Sequence, residues 1–422
     1  MRKLTAMMMM AGSAALMGSA LQANFTVYDL AKDSMFIVRG EFTTLERTVA
    51  GDRLSLQCTE VIKGNMPVGD EVVLEAFEKA PADDALGRDV IVCFHQVNGA
   101  YYFVNHPYGW RSFIFEESDV APAGLDQNEQ AIRNLLAINQ PHQEVIEGEL
   151  RKRLQLQDAG FMGSYDAALI TEWKNELLRQ VAWSGTRAAQ DAAKALCEHP
   201  LFKGQMSVAD IEKVGSLLAA SAPGTIERSY MLEIVRNQNS AHPSLNVLLQ
   251  MVREETADYC VGKLSNLLFA ISDRAAVLAA VGEMAGNTSF SNQSRANALQ
   301  ILEALKDVNG LGYVHNAITT ELERGENFSK QVMRRAMRAL RSTPDASSIE
   351  VIETCLAHET FVNSWELTQW GWVAYSMINN ETTNNKIREQ YNATTHGKKR
   401  FFQKLLPENQ IIRKLMIIHP ED

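Results

Sequence analysis

Four cations recur on one side of the stretch Ser329 to Ser342: Lys330, Arg334, Arg338 and Arg341, the last three at i, i+4 and i+7. That spacing predicts a helix whose opposite stripe, Val332, Met333, Ala336, Met337 and Leu340, is buried. A row of guanidinium forks binds carboxylate or phosphate groups bidentately, so this face is a candidate receptor for an anionic partner. Glu321 and Glu323 on the preceding helix are the acids expected to neutralise it if it is only a solvated face. Farther on, Phe361, Trp365, Trp370, Trp372 and Tyr375 place five aromatics within fifteen residues. Aromatic platforms bind sugars and peptides, which makes Trp365, Trp370 and Trp372 the second candidate binding set; packing beneath a terminal helix is the alternative. From Lys386 to Lys414 the chain holds eight Lys+Arg against two Asp+Glu. The segment HGKKRFFQKLL within it suits peripheral contact with an anionic membrane surface, although Pro407 interrupts it and a polar terminal cap has the same composition.

Elsewhere the chemistry thins out. His95 and His106 fall near strand ends without a third ligand, so no metal site is read. A cleft around His95 and Glu116 is the place an enzymatic reading would need. The adjacent carboxylates Glu116 with Glu117, Asp83 with Asp84, and Glu254 with Glu255 do not face each other across one bond and read as solvated. GxSxG, HExxH, Walker-loop and GxGxxG motifs are absent from the sequence. The chain is therefore expected to be no enzyme and to carry no cofactor. Five cysteines, Cys58, Cys93, Cys197, Cys260 and Cys355, are far apart and set in apolar patterns, as small buried hydrophobes are. In an oxidising compartment Cys58 and Cys93 are the candidate disulfide pair.

Two kinds of element must position these residues. Residues 34–118 alternate apolar and polar, with turn chemistry about every ten residues. They predict strands over Met35 to Gly40, Phe42 to Thr48, Arg53 to Ile62, Glu71 to Phe77, Arg88 to His95, Ala100 to Asn105 and Arg111 to Phe115. Asn98-Gly99 signals a tight hairpin, Gly40 a bulge or bend, and Leu54, Leu56 and Cys58 share the core face of their strand. Residues 128–420 switch to amphipathic helices. Ala195, Tyr230, Leu264, Ala298, Ala336 and Trp372 mark the middles of every second helix, at steps of 35, 34, 34, 38 and 36 residues. A repeating pair of helices of about this length cannot hide its apolar stripe alone and must stack on its neighbours.

The segments FIVRGEFTTLER, LSLQCTEVIKGN and VGDEVVLEAF resemble the netrin-like, OB-fold-type module that tissue inhibitors of metalloproteinases share. The resemblance implies a small barrel. The inhibitors' mechanism, zinc chelation by an N-terminal Cys, does not carry over, because no Cys stands near residue 24. The helical units from Thr186 to about Asn379 resemble degenerate HEAT-like repeats. Together they give an α+β multidomain chain: a small antiparallel OB-like β-barrel followed by an all-α HEAT-like solenoid.

The first residues, MRKLTAMMMMAGSAALMGSALQA, have the basic start, short apolar run and small-residue end of a secretory signal peptide. The organisation expected is then a signal peptide over 1–23, a β-domain over 24–118, a linker over 119–127 and connecting helices over 128–185. Helical repeats over 186–385 and a basic cap over 386–422 follow. Removing Arg2 and Lys3 with the leader leaves 39 basic against 51 acidic residues, a formal charge of −12, which disfavours nucleic acid as a partner. The functional expectation is an exported, periplasmic or extracellular, binding or scaffold protein for a protein or polymer of the cell envelope. A protease-inhibitor-like regulator acting through the β-domain and a structural envelope spacer are the alternatives.

Overall fold

A computed structural model describes residues 26–412, apart from 49–50, 77–85, 98, 104–112, 116–124, 157–162, 238–242, 271–272 and 410–411. The expected signal peptide lies outside the described residues. The chain forms two compact units, the first ending at Ile234 and the second beginning at Val235.

The first unit holds the barrel, built from β1 (Phe36–Thr48), β2 (Gly51–Lys63), β3 (Glu71–Ala76), β4 (Asp89–Val97), β5 (Ala100–Phe103) and β6 (Phe113–Phe115). The strands run in the order β1-β2-β3-β5-β4, and β4 pairs again with β1, so five strands close on themselves while β6 adds to β4. This is the small β-barrel expected ahead of the helices. The two strands anticipated on either side of Gly40 are one. β1 bends through register shifts at Ile37/Val38, Arg39/Gly40 and Phe42/Thr44, pairing with β2 along its length and with β4 over Phe36 to Glu41. A Cβ on Gly40 would stand 2.2 Å from the carbonyl oxygen of Gln57, so the close approach at the bend requires glycine. The barrel is not wholly antiparallel: β3 and β5 run parallel, Leu74 opposite Tyr101. β4 crosses to β1, and its hairpin partner β5 must fall back alongside β3 in the same direction. Val38, Phe42, Leu54, Leu56, Cys58, Val72, Leu74, Val92, Phe94 and Phe103 fill the interior.

The same unit holds α1 (Val27–Asp33), α2 (Leu125–Asn139), α3 (Gln143–Leu156), α4 (Ala167–Gln180), α5 (Arg187–Glu198), α6 (Val208–Ala220) and most of α7 (Ile226–Arg236), of which α2 packs on β4 and β6. Helix α2 begins at Leu125, inside the stretch expected to be linker, because Leu125 is buried and Asp126 accepts a 2.7 Å hydrogen bond from Arg39. Arg39 also donates to Asp89 at 2.7 Å and Glu129 at 3.0 Å, and Glu129 accepts from Arg133, which pairs with Glu60. This chain of ion pairs ties α2 to β1, β2 and β4.

The second unit continues with α8 (Leu245–Glu254), α9 (Asp258–Ala270), α10 (Arg274–Gly286), α11 (Asn292–Leu305), α12 (Leu311–Glu323), α13 (Lys330–Ser342), α14 (Ile349–Ala357), α15 (Glu359–Val362), α16 (Trp365–Ile378), α17 (Glu381–Ala393) and α18 (His396–Leu405). Within it α9, α11, α13 and α16 stack as one row, and α10, α12 and α14 as a second. The six residues spaced along the sequence fall on α5, α7, α9, α11, α13 and α16, every second long helix up to α13. Most long helices open on a Ser, Thr, Asp or Asn whose side chain accepts from the third backbone N–H, as Thr186, Ser207, Ser244, Ser291 and Ser329 do. Small residues set the spacing: Ala296, Ala298, Ala336 and Ala374 are buried in the first row, and Gly282 of α10 lies under the Tyr313 ring of α12.

Candidate functional site

Helix α13 carries the cations and α16 the tryptophans, and the fold packs the two helices together, so the two candidate sets form one place. Val332, Met333, Ala336, Met337 and Leu340 are buried, and Lys330 is exposed while Arg334 and Arg338 are partly so. Arg341 differs from the expectation of an open face. It is only 8% exposed, because α16 covers that end of α13. Burial holds its guanidinium below the ordinary arginine pKa, against the pull of Glu303. Arg335, one position off the stripe, is also buried and pairs with Asp258 of α9.

The acids facing the row are not Glu321 and Glu323. Arg338 donates through Nε and Nη2 to Glu303 of α11, both at 3.3 Å, and Arg334 donates to Glu366 of α16 at 3.3 Å. Glu321 is fully buried elsewhere, pairing with Arg295 and Arg324 and accepting from the Ser329 backbone N–H that opens α13. The helix spacing could not reveal this, since 3.6 residues per turn fixes which residues share a face and not which neighbour covers it.

The aromatics are mostly committed to packing. Trp370 is 5% and Trp372 8% exposed. Trp372 meets Tyr375 edge-on at 5.7 Å and Phe402 of α18 at 5.3 Å, so it is closed off as a platform. The Trp370 ring instead backs the cations, with the Arg338 and Arg341 guanidiniums 5.8 and 5.9 Å from its centroid. Trp365 is partly exposed, meets Phe401 at 5.6 Å, and lies under the Lys398 ammonium at 4.5 Å. The basic stretch folds as α17 and α18. Its apolar residues Phe401, Phe402 and Leu405 are buried. No helix among the described residues is long and apolar enough to cross a membrane.

The result is a ledge. Lys330, Arg334, Arg338 and Arg341 share one helix, with Glu366 on Arg334 and Glu303 on Arg338. Its hydrogen bonds to those acids are long for charge-assisted ones and its outer members are half open. A carboxylate or phosphate arriving from solvent can replace Glu366 on Arg334 without disturbing the buried stripe.

The first unit contains a titratable cluster with no counterpart in the sequence reading. All seven residues of α1 are buried, including Asp29, Lys32 and Asp33. Asp29 accepts from the Thr26 backbone N–H at 2.9 Å and hydroxyl at 2.8 Å. It lies 4.0 Å from Lys32 and 3.9 Å from His199 Nε2. Burial pushes the Asp29 carboxyl up to about 6, with Lys32 acting against it. For Lys32 burial acts downward, but Asp33, Tyr28 and Asp29 outweigh it and the net direction is upward. Tyr28 is ringed edge-on by Trp173, His199 and Phe202, and its hydroxyl has no partner among the described residues. The signal available was the Thr26-x-x-Asp29 capping box, which is observed.

Cys58 and Cys93 are both free. Cys58 belongs to the barrel interior, whereas Cys93 alternates with the interior residues Val92 and Phe94 and so faces outward from the barrel, beside Ser34. Strand alternation puts the two thiols on opposite faces, so the candidate bridge is not formed and both are buried, free thiols. Burial raises the Cys93 thiol to about 12. His95 lies on β4 opposite Tyr102, while His106, Glu116 and Glu117 lie outside the described residues. Among the described residues no group of three or more His, Cys, Asp or Glu side chains gathers as a metal-ligand set. Comparison of the chain with protein-family models, curated proteins and solved structures found no match.

Proposed function

We infer that this chain is an exported, non-enzymatic binding protein. Its second unit offers the α13–α16 ledge to an anionic segment of a protein or polymer in the cell envelope. In this reading the HEAT-like helices are the scaffold, and the netrin-like barrel is a second contact or an anchor. The observation that carries it is the pair of half-open guanidiniums on α13: Arg334 and Arg338 hold Glu366 and Glu303 only at 3.3 Å, and the Trp370 ring backs Arg338. Arginine held against an aromatic ring is pre-organised, so less conformational freedom is lost when an anion binds.

The experiment reverses the two half-open positions, Arg334→Glu and Arg338→Glu, and leaves the buried Arg341 alone. Binding to polyglutamate and to polyphosphate is measured at about 0.15 M salt, where screening extends over roughly 8 Å. Wild type binds one of the two, the double variant loses that binding by tenfold or more, and both melt at the same temperature. Equal retention of wild type and variant on both polymers removes the ledge as the binding face.

A further inference from the structure

A groove of about 610 Å³ opens in the first unit between the mouth of the barrel and the turn from α2 to α3, a volume within the range of small-molecule sites. Its apolar surface is Met35, Ile62, Leu136 and Ala137. Met35 is 50% exposed there, although it follows a helix whose residues are all buried. Methionine is the side chain that reshapes around an apolar ligand.

One cation stands in this groove with little to hold it. Lys63 ends β2 opposite Ile37, and the chain leaves at Gly64, where φ is 96° and a Cβ would meet the Phe36 ring at 2.5 Å. The strand end is thereby fixed, and Lys63 is partly buried beside Met35 and Ile62. Its ammonium has three protons to donate, and among the described residues its hydrogen bond is to the Ala31 carbonyl at 3.2 Å. Burial lowers its pKa, opposed by Asp33, Cys93 and Glu147. Arg133, also on the wall, is taken up by Glu129 and Glu60, and Glu147 accepts from Gln143 at 2.7 Å. The groove thus combines a lipophilic floor with one underused positive charge at its rim, and a single acid across from it. A monoanion on the Lys63 ammonium meets less repulsion from Glu147 than a dianion would.

We propose that this groove binds a single-chain amphiphile with a carboxylate head, the head on the Lys63 ammonium and the alkyl chain along Met35, Ile62 and Leu136. The site is separate from the α13–α16 ledge and stands whether or not that ledge binds an anion.

The test is calorimetric titration of the purified protein with decanoate below its micellar concentration, alongside decanol, which has no charge, and acetate, which has no chain. Decanoate binds and the two controls bind at least tenfold more weakly. Lys63→Met weakens decanoate about 10- to 100-fold, the loss of one charge-assisted hydrogen bond of roughly 1.5–3 kcal/mol. Lys63→Arg keeps binding within a few-fold, which separates a lost charge from a damaged fold. Leu136→Asp abolishes binding, and Arg334→Glu/Arg338→Glu leaves it unchanged. The proposal is overturned if decanoate fails to bind wild type, if Lys63→Met binds it as well as wild type does, or if acetate or decanol matches decanoate.

Discussion

Asp29 sets a pH dependence of stability that a single substitution isolates. Burial raises its carboxyl from 3.8 to about 6 in the folded protein. The folded state therefore holds the proton more tightly than the unfolded chain, and the penalty for burying the ionised carboxylate is fully present above pH 6. Stability from this group rises as pH falls through 6 and levels off below about 4, the reverse of an ordinary salt-bridged aspartate. A shift of this size corresponds to a few kcal/mol in total, of which about 1 kcal/mol is recovered between pH 8 and pH 5. Asp29→Asn keeps an oxygen to accept from Thr26 and removes the titration. The assay is urea unfolding of wild type and variant at pH 8, 7, 6 and 5, with each extrapolated stability compared at the same pH. Lys32, Asp33, Tyr28, Tyr165 and His199 surround the site in both proteins, so the difference between the two curves belongs to Asp29. The variant should gain about 1 kcal/mol less than wild type on going from pH 8 to pH 5. Parallel curves for the two proteins would show that Asp29 does not carry a raised pKa in the folded state.

Other perturbations follow from the packing. Tyr28→Phe keeps the edge-on contacts with Trp173 and Phe202 and deletes a buried hydroxyl without a partner; unfolding should show a gain of about 1 kcal/mol. Gly282→Ala places a Cβ 2.3 Å from the Tyr313 ring, and the overpacking should lower stability by about 1–3 kcal/mol in a thermal melt. Arg295→Ala leaves the fully buried Glu321 short of its main countercharge, and a loss of about 3–5 kcal/mol is expected by chemical denaturation. Thiol titration should find the five cysteines unreactive in the native protein and all five reactive after denaturation, since each is buried and free.

Much of the architecture is written in local chemistry. Leu54, Leu56 and Cys58 alternate with wetter neighbours because one side of β2 faces a core, and Gly40 announces a bend because only glycine fits beside Gln57. The 34- to 38-residue spacing is visible because stacked helices need small or apolar residues at equivalent points. Helix α1 was not legible in this way. Its sequence VYDLAKD carries three charges, yet all seven residues are buried, and only tertiary partners such as His199 and Asp191 make that tolerable. The ledge was half legible. Helical period placed Arg334, Arg338 and Arg341 together, but the covering of Arg341 by α16 and the choice of Glu303 and Glu366 as partners depend on which helices meet. The parallel β3–β5 pairing was hidden for the same reason, since alternation says nothing about strand direction.

The docking of α1 also orders events in time. The backbone N–H of Val27 donates to Asp191 at 3.0 Å, a contact between residues 164 apart in the chain. In a polypeptide delivered N-terminus first, α1 cannot make its Asp191 contact until α5 has been made. Closing so long a loop is entropically slow to be rewarded, so it should come late in folding. Until then Tyr28 and Leu30 remain open to solvent or to a holding chaperone. Part of the native packing of α1 thus waits on a residue made 164 positions later.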